Sequence, residues 1–135
     1  MRSGGCQCGE VRYEAEGDPV YSALCHCSDC RASSGAPAVA WMAFREEQVS
    51  LKSGALSTYA GKGESRRQFC PHCGTGLFFR NAEMLPGLVD VQLATLDDAR
   101  ADAPMLHVQC AERLPWMTQL GELPEFERYP GPVGG

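Results

Sequence analysis

The sequence predicts a mainly β domain in which short strands are punctuated by cysteine-bearing turns. Three observations carry that prediction. Several short segments alternate apolar and polar side chains with the period of two that marks a half-buried strand. Glycine, proline and cysteine clusters interrupt them every few residues. No segment sustains a helical apolar period over three turns.

The elements follow in chain order. After Cys6-Gln7-Cys8-Gly9, the stretch Val11 to Ala15 alternates as a strand, and Gly17-Asp18-Pro19 ends it in a turn. Val20 to Leu24 forms a second strand that delivers Cys25. Ala38 to Phe44 reads as a longer buried strand, Arg45 to Gln48 as one helical turn, and Val49 to Lys52 as a strand stopped by Ser53-Gly54. Leu56 to Tyr59 and Ser65 to Phe69 flank Gly61-Lys62-Gly63, a hairpin pattern. Leu77 to Arg80 and Leu88 to Leu93 supply two more strands, and His107 to Cys110 a last one. Residues 1–122 are thus expected to form one β domain. Residues 123–135, with Pro124, Pro130, Pro132 and three glycines, are expected to be a Pro/Gly-rich tail that drapes or frays.

Length and charge narrow the function. At 135 residues the chain suits one domain, able to bury roughly two-thirds of its unfolded surface. The hydrophobic content of 44% and charged content of 21% place it among globular chains. Apolar runs such as Ala36 to Ala43 are too short to cross a bilayer, and Met1 to Gly5 lack the pattern of a secretory signal. A cytoplasmic domain is the expectation, with no membrane partner. The formal charge of −5 lacks the basic footprint that holds a phosphate backbone, which argues against nucleic acid.

The eight cysteines carry the chemistry. Seven fall in three groups: Cys6-Gln7-Cys8, Cys25-His26-Cys27-Ser28-Asp29-Cys30, and Cys70-Pro71-His72-Cys73. A C-x-x-C turn aims two sulfurs at one side of an ion, and Zn²⁺ takes four soft ligands at about 2.3 Å in a tetrahedron. Gly74 and Gly76 can supply the positive φ that such turns use. Seven thiols exceed one tetrahedral site by three, so two Zn²⁺ per chain is the simplest count, one site closed and one a donor short. Spacing does not say which groups share an ion. One zinc with spare thiols, an iron–sulfur cluster and disulfides are the alternatives. With two zinc ions held by seven thiolates, the formal charge moves from −5 to −8. His26 and His72 read as solvent-facing or supporting residues rather than ligands, and His107 as structural. Cys110 reads as a small buried hydrophobe, and Trp41 and Trp116 as core or cleft residues.

Gly5-Cys6-Gln7-Cys8-Gly9-Glu10-Val11, Cys25-His26-Cys27-Ser28-Asp29-Cys30-Arg31, Ser34-Gly35 and Phe69-Cys70-Pro71-His72-Cys73-Gly74-Thr75 together resemble the glutathione-dependent formaldehyde-activating enzyme family. Weaker echoes are Thr95-Leu96-Asp97-Asp98, the His107 strand and Pro115-Trp116. The resemblance implies a β-tent of small antiparallel sheets joined by zinc knuckles. It implies a structural zinc on Cys6, Cys8, Cys70 and Cys73, and a second zinc on Cys25, Cys27 and Cys30 as the open, catalytic site. It also implies carbon–sulfur lyase or synthase activity on a small thiol adduct such as S-(hydroxymethyl)glutathione. Arg31, Lys62, Arg66 and Arg67 are the basic groups expected to meet glutathione carboxylates. A non-enzymatic, zinc-stabilised binding module is the alternative.

Overall fold

A computed structural model of the chain describes residues 1–131, so Pro132 and the last two glycines of the expected tail lie outside the described residues. In chain order the strands are β1 Arg2–Gly5, β2 Arg12–Ala15, β3 Tyr21–Cys25, β4 Val39–Arg45, β5 Val49–Ser53, β6 Ser57–Ala60, β7 Ser65–Phe69, β8 Gly76–Asn81, β9 Leu88–Gln92 and β10 Leu106–Val108. One short helix, α1, spans Ser28–Ser34 between β3 and β4. Short 3-10 turns cover Glu46–Gln48, Leu93–Thr95, Cys110–Glu112 and Pro115–Glu122. No helix is long and apolar enough to cross a membrane among the described residues.

The mainly β expectation holds. A three-stranded sheet has the order β1-β2-β5, and a seven-stranded sheet the order β10-β3-β4-β9-β8-β7-β6. Both are antiparallel except at one edge, where β10 runs parallel to β3.

The main core lies where the small sheet packs on the large one. Val11, Tyr13 and Ala15 meet Met42, Phe44, Leu77, Val89 and Val91, all buried. The Tyr13 ring stands edge-on to Phe78, centroids 5.1 Å apart, and its hydroxyl bonds Thr95 Oγ1 at 2.7 Å. Strand β1 escapes a propensity reading because two of its four residues are glycine. Close approach explains them: a Cβ at Gly4 would fall 2.5 Å from the Tyr13 hydroxyl and 2.6 Å from the Thr95 carbonyl oxygen.

The large sheet is also covered on its opposite side. Cys25, Cys30, Val39 and Trp41 form a second, smaller apolar cluster there, joined by Phe79 and Val108. Helix α1, which packs on β4, supplies Cys30. Seven residues are too few to show an apolar period, but the ends carry local signals. The Cys27 sulfur caps the first turn by accepting from the Cys30 N–H, and Gly35 closes the last in the left-handed region.

The C-terminal elements depart from expectation. The last strand is Leu106–Val108 and ends before Cys110, which sits exposed in a 3-10 turn rather than buried. Pairing with β3 stops at Val108, opposite Cys25, and Gln109 then turns the chain with φ of 58°. Trp116 is half exposed in the 3-10 segment Pro115–Glu122 and fills neither core nor cleft.

Candidate metal centres

The three cysteine groups converge into two clusters. Within each, the sulfurs of Cys6, Cys8, Cys70 and Cys73, and those of Cys25, Cys27 and Cys30, lie within 4.8 Å of one another. A tetrahedral zinc with 2.3 Å bonds sets its sulfurs about 3.8 Å apart. The observed separations fit: 3.5 Å for Cys6–Cys8, 3.9 Å for Cys8–Cys70 and 3.7 Å for Cys30–Cys25. All eight cysteines are free of disulfides. Both donor sets therefore suit a thiophilic ion such as zinc.

The tetrad joins the two sheets. Cys6 and Cys8 sit in the β1–β2 connection of the small sheet, and Cys70 and Cys73 in the β7–β8 connection of the large one. Each knuckle folds its backbone onto its own sulfur. Val11 N–H donates to Cys6 Sγ at 3.2 Å, and Cys73 N–H reaches Cys70 Sγ at 3.5 Å. Gly74 takes φ of 83°, letting its N–H donate to the Cys70 carbonyl at 2.8 Å. Gly76 is not a positive-φ residue; it begins β8, where a Cβ would lie 2.6 Å from Gln92 Nε2. Hydrogen bonds from the Thr75 hydroxyl and backbone draw the Cys73 thiol down to about 5, towards the thiolate a metal needs.

The triad hangs from one strand end and one helix start. Cys25 ends β3, Cys27 caps α1, and Cys30 lies in its first turn. Among the described residues no fourth cysteine, histidine or carboxylate donor joins these three. The hydrogen bond shared by Cys25 and Cys30 draws the Cys30 thiol down, and the same bond, with burial, pushes Cys25 up.

The histidines divide. His72 is exposed on the tetrad knuckle. His26 is fully buried rather than solvent-facing, and burial, then the charge of His107, lowers its pKa. Its Nε2 pairs with His107 Nδ1 at 2.9 Å, tying the triad loop to β10, while its Nδ1 has no partner among the described residues.

Of the four basic residues, one borders a cavity of about 810 Å³. That residue is Arg67, whose guanidinium reaches Asp29 Oδ2 at 2.7 Å and Cys30 Sγ at 3.8 Å. Arg31 donates from Nη1 to the carbonyls of His26 at 2.9 Å and Glu112 at 2.6 Å. Lys62 is exposed in the β6–β7 turn, and Arg66 lies in a separate depression beside Glu64 and Arg80. The cavity runs from α1, through Asp29 and Ser33, past Trp41, Tyr59 and Gln92, to Cys73 and Thr75 of the tetrad knuckle.

Sequence reasoning passed over Asp29 and Asp90. Asp29 belongs to the knuckle motif, but its partner Arg67 is 38 residues away. Asp90 sits in β9, with Phe79 and Ala43 as its cross-strand neighbours. It is 8% exposed, its Oδ1 has no hydrogen-bond partner among the described residues, and burial, then the Cys30 charge, pushes its pKa up to about 6.

Comparison with known proteins accords with this arrangement. A Rhodobacter sphaeroides protein of known crystal structure shares the fold, with a TM-score of 0.63 and 24% identity. The match covers 78% of this chain and 99% of that one. An uncharacterised lyase of Schizosaccharomyces pombe (strain 972 / ATCC 24843) is 30% identical over 76 residues, 56% of this chain. The aligned part is 55% of that relative, so the chain spans about half its length. Residues 1–112, which include both cysteine clusters, match the family model of the glutathione-dependent formaldehyde-activating enzyme, and the chain belongs to that family.

Proposed function

We propose that the protein is a zinc-dependent carbon–sulfur lyase or synthase acting on a small thiol adduct, such as S-(hydroxymethyl)glutathione formed from glutathione and formaldehyde. The observation that carries this reading is the inequality of the two clusters: four sulfurs meet in one and three in the other, with no further protein donor among the described residues. Zinc bound by Cys25, Cys27 and Cys30 would have a fourth position for a substrate sulfur, and would lower that thiol's pKa.

None of the three triad sulfurs lines the cavity, but Asp29 of the triad knuckle and Arg67, which reaches Cys30 Sγ at 3.8 Å, do, so a ligand seated there would lie beside the open position. The cavity's volume of about 810 Å³ is ample for a tripeptide-sized ligand, and such a pocket recognises its ligand with a few placed polar groups on an apolar wall. Gln7, Gln68, Gln92 and Tyr59 offer amide and hydroxyl partners, and Trp41 an aromatic wall. In the synthase direction the thiol loses its proton, the sulfur forms a bond to the formaldehyde carbon, and the oxygen takes up a proton. The lyase direction reverses each change. The tetrad's place in this account is structural, since all four of its donors are protein sulfurs.

Titrating glutathione into cobalt-substituted protein tests the reading through the thiolate-to-metal absorption. A saturable change at millimolar glutathione or below is the expected result. An unchanged spectrum with cobalt in both sites would remove it and favour the zinc-stabilised binding module.

A further inference from the structure

Arg67 is the most heavily committed charged side chain beside the triad. It projects from β7 on the face that carries Phe79 and Asp90, and its cross-strand partners are Phe79 and Tyr59. The guanidinium carbon lies 4.8 Å from the Phe79 ring centroid, so its flat face is covered. One terminal nitrogen, Nη2, meets both Asp29 Oδ2 at 2.7 Å and Cys30 Sγ at 3.8 Å. The side chain is 14% exposed, whereas that of Asp29 is 73% exposed. Water therefore solvates and screens the carboxylate far more than the guanidinium. The positive end of this ion pair faces the sulfur with little competition from solvent.

That placement answers an electrostatic difficulty. Three thiolates and one Zn²⁺ carry a formal charge of −1, so a fourth thiolate must approach a centre that already repels it. A cation donating an N–H to one of the three sulfurs withdraws charge from the donor set before the substrate arrives.

Resting on the proposed function, we infer that Arg67 is a positioning residue for the open site: it acts through Cys30 to make the fourth position accept an anionic sulfur, rather than by binding a carboxylate of the substrate. Asp29 holds the guanidinium in place, and Phe79 fixes its plane. The neighbouring basic residues are placed otherwise: Arg31 donates from Nη1 to two backbone carbonyls, and Arg66 lies in another depression.

The test uses cobalt-substituted wild type, Arg67→Gln and Arg67→Lys, with cobalt confirmed in both sites and thermal melts as a check on folding. Two thiols are titrated: glutathione, which carries two carboxylates, and 2-mercaptoethanol, which carries none. In Arg67→Gln the cobalt affinity of the triad should fall roughly tenfold or more, the usual cost of losing a group that supports a metal ligand. Its sulfur-to-cobalt absorption band should move to longer wavelength. Both thiols should weaken by the same factor, and Arg67→Lys should recover part of each loss, since it keeps the charge without the planar fork. A loss confined to glutathione would overturn the inference and make Arg67 a carboxylate contact. An unmoved band with unchanged cobalt affinity would overturn it too. If neither thiol perturbs the wild-type spectrum, the proposed function fails, while the band position and cobalt affinity still decide the role of Arg67.

Discussion

The tetrad and the triad use the same residue type in opposite ways. The tetrad draws its sulfurs from both sheets, more than 60 residues apart in sequence, and its surroundings are satisfied core: Val11, Tyr13, Leu77 and Phe78 pack around Cys6 and Cys70. The triad draws its sulfurs from six consecutive residues and closes no long loop. Two buried side-chain atoms lack hydrogen-bond partners among the described residues, His26 Nδ1 and Asp90 Oδ1. His26 lies inside the triad loop, and Asp90 feels the charge of Cys30. Unsatisfied buried groups are costly, and they gather where chemistry needs them. One cluster thus bridges the two sheets, while the other is local to a single loop and helix start.

The largest expected effect separates the two directly. Cys70→Ser removes a fully buried sulfur from the joint between sheets. A structural zinc supplies folding free energy on the order of 10 kcal/mol, so this variant is expected to lose cooperative melting. Cys30→Ser is expected to keep a cooperative transition, because its loop closes locally. Thermal melts of the two variants decide the matter; equal losses would erase the distinction.

A second effect has the opposite sign. The Asp90 carboxyl has an ordinary value of 3.8 and is pushed up to about 6 by burial. Ionising it inside the fold therefore costs stability. That cost is absent below about pH 4, grows between pH 4 and 6, and is constant above, where a shift of this size corresponds to roughly 3 kcal/mol. Asp90→Asn is expected to raise the melting temperature at pH 7.5 and to change it little at pH 4. A lower melting temperature at pH 7.5 would show that the carboxylate has a stabilising partner.

The smallest effect belongs to the tetrad's side. Thr95 Oγ1 donates to the Gln92 carbonyl at 2.7 Å, which leaves the Tyr13 hydroxyl to donate to Thr95. Tyr13→Phe gives up that one bond and should cost about 1 kcal/mol in chemical denaturation, with glutathione binding unchanged. Altered glutathione binding would mean that the core between the sheets and the triad are coupled.

Much of this was legible in the sequence, for identifiable reasons. Strands β2, β4 and β9 announce themselves by alternation or by apolar runs, and β6–β7 by the glycine turn between them. The cysteine spacing marks the knuckles because each sulfur pair is local. Features that depend on distant partners were not legible. β1 is a strand because β2 and the Tyr13 ring need glycines beside them. α1 is too short for periodicity and is recognisable only by its caps, Cys27 and Gly35. Asp90 looked like the polar residue of an alternating strand, yet the sheet is covered on both faces, so it is buried. Arg31, Lys62, Arg66 and Arg67 were equivalent as charges. The register of β7 sends Arg67, and not Arg66, to the triad's face, while Arg31 is turned to two backbone carbonyls and Lys62 lies in the exposed β6–β7 turn.

Zinc-edge X-ray absorption, on protein prepared without a metal-binding tag and assayed for metal content, tests most directly the claim of one closed and one open site. The expected result is about two zinc per chain and about 3.5 sulfurs per zinc, the mean of a four-thiolate and a three-thiolate shell, rising towards 4 with glutathione. One zinc per chain with four sulfurs, unaltered by glutathione, would contradict it.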